Sequence, residues 1–259
     1  MHDRAGKLAR LREIVGRCEG AAVAFSGGVD STLLLRVARD VLAQNVLAVT
    51  VVSAVESRYA IEEAGRIADV LGARWRRIEV DEREIDGFRD NPADRCYRCK
   101  RHLFARIAAL AREEGLECVM EASNSDDRGD YRPGMRAVAE LGVASPLLEA
   151  GLTKADVRAL SRELGLAGWD RPSSACLASR IPYGEAITRE KLRRIDEAEA
   201  FLRSLGFAQC RVRHHGALAR IEVEPELAPR LLEPPLRGDV ARRLRELGFK
   251  YVTVDLEAV

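Results

Sequence analysis

The folds open to this chain are narrowed first by Ala21 to Leu35, AAVAFSGGVDSTLLL. A short apolar run, Ala21–Phe25, stops at Ser26-Gly27-Gly28, and a Leu-rich helical pattern begins near Ser31. A buried strand feeding a glycine turn and then a helix leaves unpaired backbone N–H groups aimed at an anion. Glycine lets the chain turn tightly and come close to a phosphate. Ser26 and Ser31 add hydroxyls, and Asp30 offers a carboxylate either to Mg²⁺ or to the loop itself. The Lys-Ser/Thr pair of the ordinary P-loop is missing, and there is no G-x-G-x-x-G, which disfavours γ-phosphate transfer and dinucleotide binding.

Ser26-Gly27-Gly28-Val29-Asp30-Ser31 resembles the loop of the PP-loop, or N-type ATP pyrophosphatase, superfamily. The resemblance implies cleavage of ATP between the α and β phosphates, with adenylation of a carboxylate, amide or carbonyl oxygen. Spacing alone points only to an anion-binding turn.

At 259 residues, one large and one small domain are expected. Apolar positions at helical spacing predict a helix over residues 4–17. Further helices are predicted at Ser31–Leu42, Tyr59–Leu71, Cys99–Glu113 and Thr153–Leu164, with strands at Val46–Val52, Trp75–Val80 and Cys118–Ala122. This alternation predicts an α/β fold with a doubly wound, mostly parallel sheet; the resemblance of the loop implies the PP-loop (adenine nucleotide alpha hydrolase-like) kind. Ligands then sit at the carboxyl ends of the strands, where the glycine turn lies. Beyond Gly184 the order becomes α-β-β-α-β, with helices at Thr188–Leu205 and Val240–Leu247 and strands near Gln209–Arg213, Leu218–Val223 and Tyr251–Leu256. The expected domains are therefore 1–184 and 185–259, the second a small α+β unit with a mostly antiparallel sheet.

The 42 basic and 41 acidic residues are interleaved, for a net charge of +1. That balance leans away from nucleic acid and towards a small-molecule substrate. No apolar run approaches membrane-spanning length and the N-terminus lacks a signal core, so a cytoplasmic location is expected and no membrane partner. In such a setting six cysteines argue for metal or catalytic use over a disulfide frame.

Cys96 and Cys99 form a C-x-x-C at a predicted helix start, flanked by Arg95, Arg98 and Lys100, a setting that favours thiolate. The pair suits redox chemistry, half a zinc site, or plain cysteines; no second C-x-x-C or H-x₃-H completes a zinc site, and His214 and His215 are wrongly spaced to share one. Cys176 lies among small polar residues between Pro172 and Pro182, which reads as an ordered loop. Cys18, Cys118 and Cys210 read as buried small hydrophobes. In Glu121–Asp127, Asp126 or Asp127 is a candidate Mg²⁺ ligand, and Arg132 or Arg136 a candidate anion partner. Arg211 and Arg213 alternate along one strand and so share a face, which suits a phosphate as well as a solvated surface.

SGGVDS, NPADRCYRCK, ASNSDDRGDYRPG, SPLLEAGLTKADVRALSRELGL, WDRPSSACLASRIPYGE and CRVRHHGALARIEVE together resemble the LarE family, along nearly the whole chain. These are ATP-dependent sulfur transferases of nickel-pincer nucleotide synthesis. The resemblance implies ATP and Mg²⁺ as cofactors, a pyridinium dicarboxylate mononucleotide as substrate, and a homo-oligomer. It also implies that Ser26–Ser31 hold the ATP phosphates, that Cys176 handles sulfur, and that Arg211 and Arg213 meet the substrate phosphate. Two sulfur routes follow. In one, Cys176 is sacrificed and becomes dehydroalanine. In the other, Cys96, Cys99 and Cys176 hold a [4Fe–4S] cluster whose open iron carries a sulfide, recharged by a sulfide donor. The retained C-x-x-C has no task in the first route, which favours the second. The rivals are a tRNA thiolase of the same superfamily, which the balanced charge disfavours, and a non-catalytic ATP sensor. Amidating synthetases leave the three cysteines unexplained.

Overall fold

The computed structural model describes residues 4–129, 133–171 and 175–257. They divide into two compact units: Met1–Ser53 with Ala60–Asp86 and Asp94–Ser174, and Ala54–Tyr59 with Gly87–Ala93 and Ala175–Val259.

In the first unit α1 (Arg4–Val15) leads into β1 (Ala21–Ala24), then α2 (Val29–Leu42), β2 (Val46–Val52), α3 (Arg58–Val70, whose first two residues belong to the second unit) and β3 (Arg74–Glu79). There follow α4 (Arg95–Glu113), β4 (Cys118–Met120), α5 (Pro133–Glu140), α6 (Pro146–Glu149) and α7 (Lys154–Glu163). The sheet is parallel in the order β3-β2-β1-β4, with Ala21 opposite Val46 on one side and Cys118 on the other. Side chains alternate across a strand, so Ala21, Val23, Val46 and Ala48 join a core with residues of α1, α2 and α7. Ala22, Leu47 and Val49 join the opposite core, with Phe104 and Ile107 of α4 and Val138 of α5. β1 and most of β2 read as near-continuous apolar runs because both faces are covered. This is the expected doubly wound α/β sheet.

One expectation fails in this unit. Cys18 and Cys118 are not separate buried hydrophobes but a disulfide, linking the turn after α1 to the first residue of β4. Parallel pairing of β1 with β4 brings together two thiols 100 residues apart, a proximity that no local pattern reveals.

The second unit packs α8 (Arg189–Ser204), β5 (Cys210–His215), β6 (Leu218–Val223), α9 (Leu236–Glu246) and β7 (Tyr251–Val254) around Phe207, Val212, Ile221, Leu244 and Phe249. β5 and β6 form an antiparallel hairpin, but β7 lies parallel to β6. The sheet is thus mixed rather than mostly antiparallel, because α9 carries the chain back before β7 enters. Residues 87–93 are stitched to 181–187. The fully buried Asn91 donates its side-chain amide to the carbonyls of Pro182 (2.7 Å) and Ile181 (3.3 Å), and Ile187 N–H donates to Arg89 O at 2.8 Å. Among the described residues no helix is long and apolar enough to cross a membrane.

Candidate active site

At the end of β1 the chain is pinned before it turns. Phe25 N–H donates to Val49 O (2.9 Å), Thr50 Oγ1 donates to Phe25 O (2.7 Å), and Trp75 Nε1 donates to Thr50 Oγ1 (2.9 Å). Gly27 then adopts φ +72°, in close packing against α3; a Cβ there would stand 2.9 Å from Ala64 Cα. Ser31 Oγ donates to Gly28 O at 3.1 Å and lies 3.2 Å from Ser26 Oγ, so the two predicted hydroxyls brace the same turn. α2 starts at Val29, two residues before the sequence expectation, and no side chain caps it. The leading N–H groups of α2 therefore remain for an anion.

Asp30 is part of a network rather than a lone metal ligand. Its Oδ1 accepts from Asn124 Nδ2 at 3.0 Å, and its Oδ2 pairs with the ammonium of Lys154. The predicted acidic loop folds into a 3₁₀ turn, Ser125–Gly129, whose carboxylates accept backbone N–H groups. Asp126 Oδ2 accepts Lys154 N–H and Asp127 Oδ2 accepts Asn124 N–H, both at 2.9 Å. Behind it the buried Glu121 takes Ser123 N–H (3.1 Å) and the Ser123 hydroxyl (2.7 Å), as well as the Ser145 hydroxyl. Arg136 lies over the Tyr97 ring at 3.8 Å and pairs with Glu140; Arg132 lies outside the described residues.

Cys96 and Cys99 occupy the first turn of α4, Cys96 exposed and Cys99 half-buried. Arg98 bonds Asp94 with its Nε at 3.1 Å, leaving the C-x-x-C on a turn knitted by its own charges. Among the described residues no three His, Cys, Asp or Glu side chains stand grouped as a metal site.

In the second unit, half-buried Cys176 immediately precedes the 3₁₀ turn Leu177–Arg180. Leu177 N–H donates to Val55 O at 2.7 Å, so the cysteine loop is hung on residues 54–59. Arg180, almost wholly buried, grips the loop from within. Its Nη1 donates to Ala175 O (2.9 Å), Cys176 O (3.4 Å) and Ser179 Oγ (2.9 Å), while its Nε donates to Glu199 Oε1 at 2.9 Å. Glu199 also accepts Val212 N–H at 3.1 Å, which ties the loop to β5. A buried charge persists when it is paired and hydrogen-bonded on every side. Next to Val55, burial pushes the Glu56 carboxyl above the usual carboxylate range, with Arg180 opposing.

Arg211 and Arg213 do share the face of β5 opposite the core, but they differ. Arg213 is committed to Glu222 (2.7 and 3.0 Å) and to Ser179 O (2.9 Å). Arg211 makes no hydrogen bond or ion pair among the described residues. Burial, then the neighbouring Arg180 and Arg213, weakens its hold on a proton. An anion would relieve that repulsion. His214 is buried against Phe249, and His215 points out on the other face, so the two form no shared site. Cys210, its thiol pushed up to about 12 by burial and by Glu199, is the inert core residue expected of it.

A family model for NAD synthase matches residues 9–111, the part of the chain that carries the glycine turn. The chain is 39% identical over 254 residues, 97% of its length and 91% of the relative's, to pyridinium-3,5-bisthiocarboxylic acid mononucleotide synthase of Lactiplantibacillus plantarum. The chain belongs to the LarE family. Other relatives are an uncharacterized Synechocystis protein, 43% identical over 97% of this chain and 94% of its own length, and one from Methanocaldococcus jannaschii, 28% identical over 91% and 88%. The LarE match runs through both compact units, so it takes in the glycine turn, the C-x-x-C and the Cys176 loop together. Sequence reasoning singled out the turn and the cysteines as candidates. It missed Lys154, which reads as an ordinary first residue of a capped helix, and Arg180, whose partners lie far along the chain.

Proposed function

We propose that the chain is an ATP-dependent sulfur transferase that turns a carboxylate of a pyridinium dicarboxylate mononucleotide into a thiocarboxylate. The match to the Lactiplantibacillus synthase over 97% of the chain carries this reading. A carboxylate is a poor electrophile, because its leaving group would be oxide. In the proposed reaction a carboxylate oxygen attacks the α-phosphorus of ATP, held on the Ser26–Ser31 turn, and pyrophosphate leaves with the electron pair of the broken P–O bond. A thiolate then attacks the acyl carbon and AMP departs; where the thiolate is that of Cys176, loss of its Cα proton and cleavage of the Cβ–Sγ bond release the thiocarboxylate from the thioester and leave dehydroalanine. Arg211 takes the substrate's phosphate, with Arg213 and Glu222 setting the surrounding charge. The segment 185–259 is the substrate-binding domain on this reading.

Sulfur is delivered at Cys176, on the loop that Arg180 anchors. The thiols of Cys96, Cys99 and Cys176 are of the type that would hold a [4Fe–4S] cluster, which when bound supplies a labile sulfide. That assignment rests on donor chemistry alone. Mg²⁺ would arrive with the nucleotide, since Asp30, Asp126 and Asp127 are engaged by the chain's own donors.

Intact mass after turnover with ATP, Mg²⁺ and substrate tests the reading. A loss of about 34 Da at Cys176, the mass of H₂S, marks a sacrificed cysteine. An unchanged mass with sulfur in the product, and iron and sulfide in anaerobically purified protein, marks a renewable donor. Undiminished thiocarboxylate output from Cys176→Ser would overturn the proposal.

A further inference from the structure

Three consecutive residues of α3 meet three different parts of the first unit. The Glu63 carboxylate pairs with the guanidinium of Arg171. Ala64 lends its backbone to the tight seat of Gly27 in the glycine turn. Gly65 lies on the Trp75 ring, where a Cβ would stand 2.6 Å from Cη2 of the indole. Trp75 in turn bonds Thr50, which holds Phe25 O at the end of β1. Close packing leaves no slack at such contacts, so a shift of the helix at one of them is felt at the other two.

Arg171 is the remote partner of the three, and Cys176 follows five residues later. The segment that ends at Arg171 is itself firmly seated. Gly168 takes a left-handed φ of +76°, and the Arg171 side chain fills the space beside it, its Cδ 2.7 Å from where a Cβ would lie. Arg162 of α7 lies over the Trp169 ring at 5.0 Å, and Arg158 Nη2 donates to Arg171 O at 3.4 Å. Glu63 also accepts Arg66 Nε at 2.9 Å and Nη2 at 2.6 Å. The bond from Arg66, then that from Arg171, holds the Glu63 carboxyl down at about 2 against the opposing effect of burial, so the pair is charged at neutral pH. In the second unit, Leu177 N–H donates to Val55 O at 2.7 Å, three residues before α3 begins. Both flanks of Cys176 therefore hang on one stretch, residues 55–63.

We propose that Glu63 and Arg171 are positioning residues for sulfur transfer: their pair ties the chain leading into Cys176 to the helix that backs the glycine turn. This rests on the proposed ATP-dependent sulfur transfer and deepens it. A partly exposed ion pair contributes little to folding stability. A nucleophile misplaced by about 1 Å, in contrast, can lose roughly 100-fold in rate. The pair's worth lies in placement, after the adenylate has formed, and not in binding ATP or in holding the fold.

Single turnover with ATP, Mg²⁺ and the pyridinium dicarboxylate mononucleotide separates the two half-reactions. Arg171→Met and Glu63→Gln should each slow thiocarboxylate formation by roughly 10- to 100-fold, with the pyrophosphate burst and ATP affinity within about 3-fold of wild type. The double variant should be no worse than either single one, since losing one partner already breaks the pair. Arg171→Lys should restore most of the rate. Additive losses, equal losses of pyrophosphate and thiocarboxylate, weaker ATP binding in Arg171→Met alone, or no loss would each overturn the inference. Should Arg171→Met fail to fold, the isosteric Glu63→Gln decides on the same two readouts. A wild-type chain that forms no pyrophosphate from ATP and substrate defeats the ATP-dependent reading itself, an outcome distinct from failure of the pair's role alone.

Discussion

Gly27 shows how little room the nucleotide turn has. Its positive φ is costly for any residue with a side chain, and the place a Cβ would take is filled by the backbone of Ala64. Gly27→Ala should therefore destabilise the first unit by about 1–3 kcal/mol and weaken ATP binding further by pushing the turn from α3. Chemical denaturation and nucleotide titration of the same variant check both effects. Gly28, at an ordinary φ of −72° and with only Ser26 Oγ near, should accept alanine with a smaller stability loss. The two glycines look alike in the sequence; tertiary packing tells them apart. The cysteines give the same lesson. Spacing set Cys96 and Cys99 apart and small polar neighbours set Cys176 apart, but no short-range pattern could pair Cys18 with Cys118.

Among the elements, β5 is where an apolar pattern hides a titratable group. His214 faces the core of the second unit, edge-on to Phe249 at 5.4 Å, with neither ring nitrogen hydrogen-bonded among the described residues. Burial first, and then the positive charge of Lys191, depress its pKa, with Glu185 opposing and Arg194 adding to the depression. The unfolded chain consequently binds a proton at higher pH than the folded one, so stability is full above the unfolded value near 6.5 and falls as pH drops towards the lowered folded value. His214→Phe should flatten that acid limb, read as urea midpoints between pH 7.5 and 5. A parallel loss in wild type and variant would dismiss His214 as its source. Helix and strand positions were largely legible because their periodicities are local; Thr153 and Thr188, where two of the expected helices begin, cap α7 and α8. The direction of β7 was not legible. It depends on how α9 returns the chain, and the alternation of Tyr251–Val254 is the same in either sense.

For the molecule as a whole, the Cys18–Cys118 bond is a covalent constraint across a sequence separation of 100. A loop of that size lowers the entropy of the unfolded chain by about 4–5 kcal/mol in the chain-entropy picture. Reduction, or Cys118→Ala, should accordingly lower the unfolding midpoint of the oxidised protein. Alkylation in denaturant should modify four thiols before reduction and six after it. Six before reduction would mean that the bond does not form in the isolated protein. Reducing conditions would open the bond to two thiols, and the oxidised and reduced forms should differ in stability more than in fold, because β4 remains in its parallel ladder either way.

Arg180 takes hold of the main chain at Ala175 and Cys176 while its own charge is satisfied by Glu199. What sits at position 176 can therefore be altered chemically while the scaffold that presents it stays in place. A spent side chain, a loaded one and a fresh one would all be offered at the same spot, like interchangeable tips on a fixed holder.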